Sequence, residues 1–151
     1  MRYLFHGLLL ATSLLLACSG PKPTTLEDFP TRPLTLPSGR VIRVETMADN
    51  FGRLRGLMFR ASLAPDHGML FVFPRPGRYQ AFMYQVLIPL DIIWMDSNRR
   101  IVDINENAPP CKTQASKCPK YGGDQISSYE LEIPAGTARK YGMQVGQILE
   151  W

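Results

Sequence analysis

Ser128-Tyr129-Glu130-Leu131-Glu132-Ile133 alternates polar and apolar residues without a break. Successive side chains of a strand point to opposite faces, so this period of two predicts a half-exposed strand. Downstream, Pro134 to Tyr141 predicts one or two helical turns with Gly142 at the C-cap, and Gly146 to Trp151 a last strand. Upstream, Leu90–Asp96 and Arg100–Asn105 flank Ser97-Asn98-Arg99, the polar tip of a predicted hairpin. Tyr79–Gln85 predicts another strand. Met69-Leu70-Phe71-Val72-Phe73 is a continuous apolar run, stopped by Pro74-Arg75-Pro76-Gly77, and suits a buried strand. Arg40–Thr46 predicts a strand after the Ser38-Gly39 turn. Phe51, Leu54, Leu57 and Met58 then recur at helical spacing behind Asp49, a suitable N-cap, and Gly52 and Gly56 keep this helix short.

About six or seven strands and two short helices, with no repeated strand–helix–strand pattern, predict a mainly β fold. A small single-domain sandwich or partly open barrel protects that many strands. Composition agrees: 151 residues suit one domain, and 45% hydrophobic with 20% charged is a globular balance. The net charge is +4 and its cations are dispersed, so no nucleic-acid partner is expected. No Gly-rich phosphate loop, dinucleotide fingerprint or zinc-ligand cluster occurs, and no cofactor is expected.

The N-terminus addresses the chain. Met1-Arg2 precedes a mostly apolar Leu4–Leu16, shorter than the roughly 20 residues of a membrane span, and the pattern reads as a secretory leader. Its end, Leu15-Leu16-Ala17-Cys18, resembles the lipobox of bacterial lipoproteins. That resemblance implies cleavage after residue 17, acylation of Cys18 and attachment to a membrane of the cell envelope. Ser19 in place of Asp then implies the outer membrane, facing the periplasm, in an organism that has one. Residues 18–37 carry Pro21, Pro23, Pro30, Pro33 and Pro37 and read as a semi-extended spacer, part of which, Arg32–Leu36, could lie along the domain edge as a strand. The domain is placed at residues 38–151. With Cys18 acylated, Cys111 and Cys118 remain as a pair suited to an oxidising compartment. A zinc site is the rival reading, but zinc wants four ligands and none of the others lies nearby in sequence.

Four segments in order carry a wider resemblance: Arg53-Leu54-Arg55-Gly56-Leu57-Met58-Phe59-Arg60, Gly68-Met69-Leu70-Phe71-Val72-Phe73, Ile88-Pro89-Leu90-Asp91-Ile92-Ile93 and Leu131-Glu132-Ile133-Pro134-Ala135-Gly136. Together they resemble the domain of unknown function 192 family of prokaryotic proteins, over roughly Val41 to Leu149. The resemblance implies a compact, mostly β fold and no established activity. Where that family usually carries Trp-Met-Lys-Asn-Thr, this chain has Phe82-Met83-Tyr84-Gln85-Val86, and Gly146-Gln147 stands for a usual Gly-Asp.

Asp91 is the most informative polar residue, a carboxylate inside Leu87–Met95. It is expected either to pair with Arg53, Arg55 or Arg60, to act as an acid or ligand, or to turn outward. Glu130 and Glu132 share one strand face; the plain expectation is a solvated face, the alternative a second carboxylate beside Asp91. Arg53, Arg60, Asp91 and Glu132 are therefore the expected ligand-binding residues. No catalytic residue is assigned: His67 lies in the turn Pro65-Asp66-His67-Gly68, and no Gly-x-Ser-x-Gly elbow accompanies it. Met58 and Met69 with His67 form a possible soft copper site, against core filling by the methionines. The expected role is a non-catalytic binding or accessory module, its partner an envelope protein or small ligand. The alternatives are copper handling through His67 and methionines, and a hydrolase or lyase using Asp91 with Glu132.

Overall fold

The computed structural model describes residues 30–151; the stretch read as a leader, Cys18 and most of the stretch read as a spacer lie outside the described residues. Eight strands and two short helices follow in order: β1 (Thr31–Thr35), β2 (Val41–Met47), α1 (Asn50–Arg55), β3 (His67–Gly77), β4 (Gln80–Phe82), β5 (Leu90–Met95), β6 (Ile101–Ala108), β7 (Lys120–Gly122), β8 (Ser127–Pro134) and α2 (Thr137–Lys140). The fold is mainly β, as expected. Six strands form one sheet in the order β1-β2-β3-β8-β5-β6, and β4 pairs with β7 in a separate ribbon. The β2–β3 pair is parallel, and α1 lies on its crossover; the other pairs are antiparallel.

The sheet is buried on both sides at its centre. One face packs Leu34, Ile42, Val44, Leu70, Ile93 and Leu131 with Ala138, Met143 and Leu149. The other packs Met69, Phe71, Ile92 and Trp94 beneath Leu57, Ala81, Met83 and Val86. Every residue of β5 is buried, which accounts for its unbroken apolar run around Asp91.

Three elements differ from the sequence reading. Gly146–Trp151 forms no strand: Thr35 bridges Glu150, and Arg100 bridges Ile148. The segment passes from one sheet edge to the other, so no ladder extends, and the barrel stays open. β3 runs on through Pro74 and Pro76, because its pairing with β8 shifts register beyond Val72; a proline without an N–H costs no ladder bond there. The strand predicted over Tyr79–Gln85 shortens to β4, and Gln85 sits at φ 57 in the turn that follows. The edge strand expected within Arg32–Leu36 forms as β1, and Leu34 on it and Leu36 just beyond it are buried in the core. Cys111 and Cys118 stand at disulfide geometry, Sγ–Sγ 2.08 Å, and close the loop leading into β7.

Candidate functional site

Register assembles the site. β8 lies between β3 and β5, with Glu132 opposite Met69 and Ile92 and Glu130 opposite Phe71 and Trp94. Glu45 on β2 also faces Met69, so three carboxyls share the second face of the sheet. All three are buried, at 4%, 5% and 7% exposure for Glu45, Glu130 and Glu132. The solvated face expected for β8 does not exist, because α1, β4 and the segments around them cover it.

Glu45 is neutralised. Arg60 donates to both of its oxygens, at 2.5 and 2.6 Å, and both side chains are buried. Two parallel bonds of this kind are the geometry that makes a buried ion pair tolerable. Glu130 and Glu132 have no such partner. Burial pushes the Glu130 carboxyl well above the usual range, and the Glu132 charge adds to this. The Trp94 indole N–H lies close enough to lower it, though it completes no hydrogen bond. Burial raises Glu132 to about 7, against the opposing pull of Arg60. Oε2 of Glu132 is buried and has no hydrogen-bond partner among the described residues.

Glu130 and Glu132 line a cavity of about 100 Å³ with Phe71, Phe73, Arg53 and Arg55. Its rim is α1. Asp49 caps this helix by accepting from Gly52 N at 2.8 Å, as the sequence predicts. Gly56 closes it at φ 47, where a Cβ would stand 3.2 Å from the Phe71 ring. Arg53 is fixed by the carbonyls of Ala48 and Val72 and by Asn50 Oδ1. Arg55 makes no side-chain hydrogen bond or ion pair among the described residues. Beyond the rim, Phe51 and Leu54 are each 70% exposed.

Of the residues chosen from sequence, Glu132 and Arg53 meet at this cavity, and Arg60 stands behind it on Glu45. Asp91 does not join them. It pairs across the sheet with Ile133, the neighbour of Glu132, and so points to the opposite face. There Oδ1 accepts from Asn107 N and Oδ2 from Ala138 N, both at 2.8 Å. The arginine partner expected for Asp91 is replaced by backbone amides, and Asp91 and Glu132 form no carboxylate pair. Met69 is wholly buried in the second core, and His67 turns its Nδ1 to Asp66 at 2.9 Å. Met58 packs at the edge of the same core. Among the described residues no group of three or more His, Cys, Asp or Glu side chains is placed to hold a metal ion. Glu45 was not singled out from sequence, and Glu130 only as the strand-face neighbour of Glu132, expected to be solvated. The i, i+2 spacing of Glu130 and Glu132 was the available signal, and only the central place of β8 turns it into a buried pair.

Residues 34–151 match the family model DUF192, described as Uncharacterized ACR. A UPF0127 protein of Thermococcus kodakarensis is 34% identical over 108 residues, 70% of this chain and 62% of that protein. The chain thus spans less than two thirds of that relative. A crystal structure of a Novosphingobium aromaticivorans protein of unknown function superposes with TM-score 0.74 at 28% identity, covering 93% of this chain and 99% of that one. A Sinorhizobium meliloti protein, named as a proposed transcription regulator, superposes with TM-score 0.67 at 34% identity, covering 78% and 89%.

Proposed function

The chain belongs to the DUF192 family, and we propose that its β domain is a small-ligand-binding module of the cell envelope, working without catalysis. One observation carries the reading: Glu132, whose buried Oε2 has no hydrogen-bond partner among the described residues, lines a cavity. Leaving such a group unsatisfied costs roughly 1–3 kcal/mol, a cost that a bound ligand removes. The envelope address rests on the lipobox-like Leu15-Leu16-Ala17-Cys18 and on the paired Cys111 and Cys118. Two or more acyl chains anchor a protein stably, and residues 19–30 would allow the domain at most about 40 Å from its lipid.

A second reading has its own support. Carboxyls raised toward neutrality are poised for proton transfer, so Glu130 and Glu132 could serve as acid and base. Thermal melting of the full chain in detergent, against amino acids, amines, sugars and nucleotides, tests the first reading. A ligand at about 100 times its Kd adds ~2.7 kcal/mol. The expected result is a rise of several degrees that disappears in Glu132→Gln. A rise that persists in Glu132→Gln places binding elsewhere, and disappearance of the ligand with time would favour the catalytic reading.

A further inference from the structure

We infer that the cavity beneath α1 takes the head of an amine zwitterion, its primary ammonium group against Glu130 and Glu132 and its phosphate or carboxylate beside Arg55. This rests on the cavity being a binding site and names what it binds.

The sign of charge changes along the cavity. Its floor holds two carboxyls, and the arginine behind them, Arg60, is already bound through both forks to Glu45. Its rim holds two guanidiniums with no carboxylate partner. Arg53 is satisfied by carbonyls and an amide oxygen, and Arg55 stands free among the described residues. A neutral hydroxyl offers one donor to this floor, whereas an ammonium offers three and a charge. That charge offsets the repulsion that Glu130 and Glu132 exert on each other once both are ionised. Phe71 and Phe73 add apolar wall to the cavity, and one face of the Phe73 ring is covered by Tyr79, stacked at 3.7 Å between centroids. An anion alone would meet Arg55 but find acidic groups below it. Only a ligand with both signs satisfies floor and rim.

Two sources supply such a head: a free amino acid, or an aminophospholipid of the membrane. The exposed Leu54 and Phe82 on the cavity lining, at 70% and 40%, offer an apolar surface that an acyl chain would cover.

Binding is coupled to protons. Burial raises both carboxyls, Glu132 to about 7, and an ammonium beside them favours their ionised form, so its arrival sends a proton to solvent. The charged groups around them are Glu45 on β2, Arg60, and Arg53 and Arg55 of α1, with Asp103 of β6 across Trp94. β3 contributes only Met69 and Phe71 there.

The test is calorimetric titration of the full chain in detergent, near pH 6, in two buffers of different ionisation enthalpy. The probes are phosphoethanolamine, glycine, ethanolamine, glycerol 3-phosphate and glucose. The zwitterions are expected to bind with release of up to one proton, and ethanolamine and glycerol 3-phosphate roughly tenfold more weakly or worse. Phosphoethanolamine binding tighter than glycine indicates the lipid headgroup, and the reverse the free amino acid. Glu132→Gln is expected to weaken the zwitterions about tenfold or more, and Arg55→Ala to weaken them but not ethanolamine. The buffer comparison needs no variant and stands even if Glu132→Gln fails to fold. Binding without proton release, or glycerol 3-phosphate binding as well as phosphoethanolamine, overturns the assignment. If glucose alone binds, and Glu132→Gln abolishes it, the cavity remains a binding site while the amine head is wrong. If no probe binds, both readings fall.

Discussion

Glu132 ties the stability of the fold to pH. Its carboxyl is raised from an ordinary 4.5 to about 7 by burial, so the native state holds this proton more tightly than the unfolded chain does. The associated stability is complete below about pH 4.5, falls as pH rises, and is gone above about 7; for this group it is about 3 kcal/mol. Glu130 shifts in the same direction and adds to the trend. Asp49 and Asp66 are lowered from 3.8, by the Gly52 amide and by His67 respectively, and stay ionised throughout this window. Melting temperature is therefore expected to drop by several degrees between pH 5 and pH 8, read by circular dichroism, and Glu132→Gln to flatten the curve and melt higher at pH 8. A flat profile in the unmutated chain would mean that the pair is hydrated. Asp91 behaves differently, since it is buried and both its oxygens are used. Asp91→Ala leaves the buried Ala138 amide and the part-buried Asn107 amide without acceptors and is expected to cost about 2–3 kcal/mol in urea unfolding. Ligand affinity at the cavity should be unchanged in that variant, because Asp91 faces away from it.

At the scale of elements, local chemistry explains what was legible. Asp49 announces α1 because a carboxylate there satisfies an amide that the helix cannot. The hairpin of β5 and β6 is announced by its polar tip, where Asp96 Oδ1 accepts from the amides of Asn98 and Arg100. β8 shows the limit: its alternation marks two faces but not whether either is wet, and its place between β3 and β5 decides that. β7 carried no signal at all. Three residues, Lys120–Gly122, become a strand only by pairing with β4. Gly122 explains how this ribbon packs: at φ 71, a Cβ there would stand 2.6 Å from the Trp94 ring. Gly122→Ala combines a strained backbone with a clash in a filled core, and is expected to cost about 2–3 kcal/mol in a denaturant titration. No loss would mean that the ribbon can lift from Trp94.

At the scale of the whole molecule, one long-range link ties the C-terminal segment to β1, and a local disulfide closes one loop. The C-terminal segment exchanges backbone hydrogen bonds between Thr35 and Glu150, at 2.8 and 3.1 Å, and plugs the first core with Leu149. The Cys111–Cys118 pair shortens the excursion before β7. Replacing both cysteines by serine is expected to lower stability by ~2.5 kcal/mol. Dithiothreitol should lower the melting point of the unmutated chain but not of that variant. The sequence by itself determined the class of fold, the capped short helix, the cysteine pair and the family, since each follows from neighbours in the chain: a period, a cap, a spacing, an order of motifs. Only the tertiary structure decided the site. Glu45, Glu130 and Glu132 meet because strands far apart in sequence lie side by side in the sheet. Asp91 is turned from them because adjacent residues of a strand face opposite ways. Burial, which sets the charge of a carboxyl, depends on what lies above it, and no local stretch of sequence carries that information.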